Sequence, residues 1–153
     1  MRELVVDAIH DVRRLAVELR PKALDDFGLA AALERLTTTF AEKTGIMVEF
    51  RAELPDERMR SDLETTLYRV VQEALTNVLK HARADHVDVV VNRENGTVRA
   101  RVSDDGVGFR PENVREDSLG LSGMRERLSL LNGRLEIRSD GADGTTLLAE
   151  VPE

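Results

Sequence analysis

The chain has 153 residues, 41% hydrophobic and 33% charged, which fits one soluble domain able to bury a real core. A net charge of −7 argues against a nonspecific nucleic-acid or anionic-membrane surface, and no direct nucleic-acid contact is expected. The absence of cysteine excludes disulfides, zinc–cysteine sites and thiol catalysis.

Aromatic residues make up 3% and tryptophan is absent, so the core must be built from Leu, Val, Ile and Ala. No run approaches the about 20 apolar residues of a membrane span. Met1-Arg2-Glu3-Leu4 lacks a signal-peptide pattern. A cytoplasmic chain is expected, although a larger parent protein could be membrane-bound.

In chain order, residues 2–20 read as an amphipathic helix. Leu4, Ala8, Val12, Leu15 and Leu19 share one face, and Pro21 ends the run. The apolar stripe needs a partner, in this chain or in a second copy. A second helix is predicted over 28–43, with Leu29, Leu33, Leu36 and Phe40 inward and Gly45 as its stop. Ile46–Phe50 alternates like a strand, and Pro55-Asp56 marks a loop. A third helix is predicted over 59–81, on the broad apolar face of Leu63, Leu67, Val70, Val71, Ala74, Leu75 and Val78.

Val87–Val91 reads as a buried strand, Asn95-Gly96 as a hairpin turn, and Val98, Ala100 and Val102 as the return strand. Residues 110–119 are polar and aperiodic and read as a mobile loop. A helix over 120–131, stopped at Asn132-Gly133, leads to a last hairpin of 134–139 with 145–151. The order of elements predicts an α+β fold: helices on one face of a mixed, mostly antiparallel sheet.

Candidate chemistry lies in four places. On the third helix, Glu73, Asn77, Lys80 and His81 fall within about 100° of one another at 3.6 residues per turn. An amide oxygen there can ligate Mg²⁺, an ammonium can meet phosphate, and a carboxylate can act as a base. A solvated helix face is the alternative. Asp104-Asp105-Gly106-Val107-Gly108 ends a strand. Its glycines admit a flat ligand and Asp104 can accept from an exocyclic amine, but a simple Asp-Gly turn has the same letters.

Gly120-Leu121-Ser122-Gly123-Met124 opens a helix whose N–H groups can face phosphate, or it is a plain helix start. Gly144-Thr145 enters the last strand, where a hydroxyl can reach a base edge or serve only the turn. Neither a Rossmann fingerprint nor a Walker A loop is present.

Together these segments resemble a known family. Tyr68–Ala82 looks like the N box of histidine-kinase ATPase domains, Asp104–Phe109 the G1 box, and Gly120–Arg127 the G2 box of the NarX- and DesK-like subgroup; Gly144-Thr145 matches the closing Gly-Thr. The resemblance implies a two-layer α/β sandwich with a Bergerat-type pocket for ATP and Mg²⁺. In it Asp104 would bind the adenine amine, Gly106 and Gly108 would give it room, and Thr145 would support it. Asn77 would ligate Mg²⁺, and Lys80 and His81 would lie near the phosphates. Gly120, Leu121 and Gly123 would flank the triphosphate, Glu73 would be the base or orienting group, and residues 110–119 would form the ATP lid.

Val12–Pro21 resembles the second helix of the dimerisation hairpin, so residues 1–24 are expected to be the end of that hairpin and 25–153 the ATPase domain. The phosphoacceptor helix would then lie upstream of Met1, and His10 is read as a surface or partner-facing residue. The implied partners are the parent's dimerisation domain, in a homodimer, and a NarL-type response regulator. An anti-sigma-type serine kinase of the same superfamily is the alternative function. The Leu19-Arg20-Pro21 segment and the Gly-Met-Arg-Glu-Arg box favour the sensor kinase.

Overall fold

The computed structural model describes residues 20–108, 120–139 and 143–153. The predicted N-terminal helix, His10 and the 110–119 loop lie outside the described residues.

Helix α1 spans Lys22–Thr44. The sequence places this helix at 28–43; it starts earlier because Pro21, with its φ set near the helical value, serves as the N-cap. Gly28, at φ 85° and ψ 180°, breaks the helix in the middle. Gly45 ends it in the left-handed region, its N–H donating to the Ala41 carbonyl at 2.9 Å. The expected domain boundary at 24/25 falls inside α1, and Leu24 is fully buried in the core.

An ion-pair network holds this entry segment. Glu64 is only 2% exposed and is bonded by Arg20 at 2.9 Å and Arg58 at 3.1 Å. Arg20 also donates to the Ser61 carbonyl and pairs with Asp25, while Arg58 donates to the Leu24 carbonyl. A buried carboxylate needs such partners, since desolvating it alone costs several kcal/mol.

Strand β1 is Met47–Glu53 and helix α2 is Ser61–Asn77. Leu63, Leu67, Val70, Val71, Ala74 and Leu75 of α2 are buried, as their spacing predicts. The helix does not run on to 81 in α form. Val78–Ala82 forms a π turn that ends at Arg83 in the left-handed region (φ 51°). Strands β2 (His86–Glu94) and β3 (Thr97–Asp104) follow, joined at Asn95-Gly96 with φ 52° and 75°, the type I′ signature.

Helix α3 is Leu121–Ser129. It closes through Gly133 N–H to the Leu128 carbonyl at 2.8 Å and Asn132 N–H to the Ser129 carbonyl at 3.1 Å, with Asn132 rather than Gly133 at positive φ. The last hairpin is β4 (Arg134–Ser139) and β5 (Thr145–Pro152).

The sheet order is β1-β2-β3-β5-β4; β1 and β2 are parallel and the other pairs antiparallel. Alternation assigns the faces. Val87, Val89, Val91, Val98, Ala100, Val102, Leu147, Ala149 and Val151 are buried in one core with the helices. The opposite face carries charge: Arg99 of β3 meets Glu150, its register partner on β5, at 3.0 Å. This is the two-layer arrangement the sequence predicts. None of the described helices is long and apolar enough to cross a membrane.

Candidate nucleotide site

The site forms where the C-terminal end of α2 faces the ends of β3 and β5. Register pairs Asp104, the last residue of β3, with Thr145, the first of β5. Above them α2 presents Ala74 and Asn77, and the π turn presents Val78, His81 and Ala82. The result is a cleft open to solvent. Its apolar wall is Val78, Val102, Ile137 and Leu147, and its polar groups are Asn77, His81, Asp104 and Thr145. A flat apolar slot with few placed polar groups is what a heteroaromatic base requires.

Asp104 carries the electrostatics. Its carboxylate accepts from the Gly106 N–H at 2.8 Å and from the backbone N–H of Thr145. Burial pushes its pKa above the ordinary carboxylate value, against the lowering effect of those bonds. Asp105 faces the other way. It accepts from the N–H groups of Asp85 at 2.9 Å and His86 at 3.0 Å, which hold its carboxyl below the usual range and tie the loop to the start of β2.

Two glycines are fixed by protein neighbours. A Cβ on Gly106 would stand 2.2 Å from the Ala82 carbonyl oxygen, and a Cβ on Gly144 would stand 2.0 Å from the Asp104 carbonyl oxygen. The space the sequence assigns to a ligand at Gly106 is therefore filled by the π turn, whose Ala82 carbonyl accepts the Val107 N–H at 2.8 Å. Thr145 donates its hydroxyl to Ser139 at 3.2 Å, so it sits in the cleft wall bonded within the last hairpin.

Asn77, His81, Asp104, Gly108, Leu121 and Thr145 line this cleft together. Glu73, Gly120 and Gly123 line a second, adjoining cavity, where Glu73 lies under Gly120: a Cβ there would come 2.4 Å from its Oε1. Among the described residues, Lys80 and Gly106 line neither. Lys80 is exposed on the π turn, whose wider winding removes it from the stripe that an uninterrupted α-helix would give.

The sequence reading missed Arg69 and Arg127, which line the second cavity. Arg69 stands four residues before Glu73 on the same helix face, a spacing that was visible; its meeting with Arg127 of α3 was not.

Residues 62–153 match the family described as histidine kinase-, DNA gyrase B- and HSP90-like ATPase, and the chain belongs to that family. It is 41% identical over 152 residues to the signal transduction histidine-protein kinase/phosphatase DegS of Brevibacillus brevis, covering 99% of this chain and 39% of that protein. To the oxygen sensor histidine kinase NreB of Staphylococcus carnosus it is 45% identical over 145 residues, covering 94% and 42%. The chain thus spans about two fifths of the length of these curated relatives.

By fold it is similar to the histidine kinase domain of the blue-light activated histidine kinase of Erythrobacter litoralis. The TM-score is 0.67 at 24% identity, over 81% of this chain and 60% of that one. The sequence relatives are named as histidine kinases, in line with the reading that the Leu-Arg-Pro segment favoured over an anti-sigma-type kinase.

Proposed function

We propose that this chain is the ATP-binding catalytic part of a two-component sensor histidine kinase. It binds Mg·ATP and passes the γ-phosphate to a histidine on a dimerisation domain, for relay to a response-regulator aspartate. One observation supports this most: a half-buried Asp104 carboxylate at the end of β3, in an apolar slot that Asn77 also lines.

In this reading Asp104 accepts from the adenine amine, and Val102, Ile137 and Leu147 cover the ring. The donor set fits Mg²⁺: Asn77 offers a neutral amide oxygen, suited to a hard cation that takes its other ligands from phosphate and water. Bound there, the ion would neutralise charge on the phosphates during transfer. His81, at the cleft wall, faces the phosphate path, whereas Lys80, exposed on the π turn, lines neither cavity. Gly120 and Gly123 leave the start of α3 open to it. Glu73 orients the attacking histidine or takes its proton. Residues 110–119 act as the lid.

The parent is a homodimer that pairs with a NarL-type regulator, with this portion in the cytoplasm. Residues 1–24 end the dimerisation hairpin, and His10 is not the acceptor. Incubation with γ-labelled ATP and a separately supplied dimerisation domain tests the assignment. Acid-labile label is expected on the supplied histidine and none on this chain. Stable label on His10, or transfer to a serine of an anti-sigma partner, would overturn it.

A further inference from the structure

A cluster of metal-ligating side chains stands away from the cleft, on the other face of the sheet. Strands β1 and β2 pair in parallel, and their register sets Glu49 beside Asp88 and Met47 beside His86. Alternation puts Val87 and Val89 in the core, so His86 and Asp88, two residues apart, stand together on the open face. Glu49, between the core-packed Val48 and Phe50, joins them there. The ligand atoms of Glu49, His86 and Asp88 all lie within 4.8 Å of one another. Among the described residues no other three carboxylate or imidazole groups converge in this way.

The spacing suits a shared ion. His86 Nε2 and Asp88 Oδ1 are 3.2 Å apart. Two ligands at about 2.1 Å from one ion, with about 90–110° between them, stand about 3.0–3.4 Å from each other, so this pair can take a cation without moving. Glu49 is exposed, and rotation of its side chain closes the remaining gap. The backbone beneath is firmly held. Met47 N–H donates to the Asp85 carbonyl at 3.0 Å, and the Asp105 carboxylate accepts the N–H groups of Asp85 and His86. Donors carried on paired strands keep their geometry better than donors on loops.

The donor set selects the ion. Mg²⁺ takes oxygen ligands in near-ideal octahedral geometry, whereas imidazole combined with carboxylate suits Zn²⁺ and its first-row neighbours. We propose that Glu49, His86 and Asp88 form a cation site for Zn²⁺ or a similar first-row dication. Three protein ligands leave a further position for water. The ion neutralises the two carboxylates, ties β1 to β2, and braces the strand end that Asp105 holds, one residue from Asp104. The site is separate from the proposed Mg²⁺ position at Asn77 and does not depend on the nucleotide reading.

Calorimetric titration of the chain with Zn²⁺, in excess Mg²⁺ and without nucleotide, tests this. The chain has three histidines, His10, His81 and His86, so each is replaced by Gln in turn, and Glu49→Gln is measured beside them. The native chain should take up one Zn²⁺ that Mg²⁺ does not displace. Loss of a group that merely orients a ligand costs about 10–100-fold in metal affinity, so His86→Gln and Glu49→Gln should each lose at least about tenfold. His10→Gln and His81→Gln should bind as the native chain does. Glu49→Gln, at an exposed position, decides the matter if His86→Gln fails to fold. No Zn²⁺ uptake by the native chain, undiminished affinity in Glu49→Gln or in a folded His86→Gln, or loss on replacing His10 or His81 instead would each overturn the proposal. None of these results bears on ATP binding.

Discussion

Gly106 and Gly123 make opposite predictions from the same substitution. At Gly106 an added Cβ meets the Ala82 carbonyl oxygen at 2.2 Å and the Ala82 Cβ at 2.8 Å, well inside the 3.4 Å at which ordinary contact begins. Both neighbours belong to a turn that is itself bonded through Val107 N–H to the same carbonyl at 2.8 Å, so neither can yield without breaking that bond. Overpacking costs about 1–3 kcal/mol and the lost bond about 1 kcal/mol. Gly106→Ala should therefore destabilise the domain by about 2–4 kcal/mol, a large share of the about 5–15 kcal/mol typical of a domain.

At Gly123 nothing lies within 4 Å of an added Cβ, and the residue is inside α3. Gly123→Ala should raise stability by about 0.5–1 kcal/mol through helix propensity, yet weaken nucleotide binding, because the methyl group projects where the phosphates approach. Urea unfolding followed by helical circular dichroism, with an ADP titration of each variant, separates the effects. A Gly106→Ala protein as stable as the native one would refute the packing argument, and a Gly123→Ala protein with undiminished affinity would refute the placing of the phosphates.

Asp104→Asn should abolish adenine recognition and also stabilise the empty protein at neutral pH. The folded-state pKa of Asp104 is raised by burial, so ionising it costs folding free energy. That stability is fully present below the unfolded-state pKa and is lost as pH rises through the folded-state value. Melting temperature against pH should show the variant ahead of the native chain at pH 7, the gap closing toward acid; a constant gap would contradict this. Glu64→Ala should cost about 3 kcal/mol, since it strands Arg20, itself only 19% exposed, while Arg58→Ala, at a 48% exposed side chain, should cost under about 1 kcal/mol. Equal losses for the two variants in denaturant titration would contradict this.

Much of this architecture was legible in the sequence because local chemistry and tertiary packing agree. The seven apolar residues from Leu63 to Val78 bury as their period demands, Asn95-Gly96 turns with both φ values positive, and Asp104 ends its strand at the slot. What was not legible involves partners distant in the chain or departures from α geometry. Gly106 owes its lack of a side chain to Ala82, which no local pattern announces. The π turn at Val78–Ala82 displaces Lys80 from a stripe drawn at 3.6 residues per turn. Gly28 interrupts a helix that Pro21 begins, whereas the sequence treats the glycine as its edge. Glu64 looks like an exposed first-turn acid until Arg20 and Arg58 close over it. Arg69 and Arg127 converge only because α2 and α3 pack together.

The central claim is a nucleotide site held between Asp104 and Asn77, and calorimetric titration of the native chain, Asp104→Ala and Asn77→Ala with ATP, with and without Mg²⁺, tests it most directly. The native chain should bind, with an affinity that Mg²⁺ increases. Asp104→Ala should lose binding in both conditions, and Asn77→Ala should keep only the Mg²⁺-independent part. A native chain that does not bind ATP, or variants that bind as tightly as it does, would contradict the account.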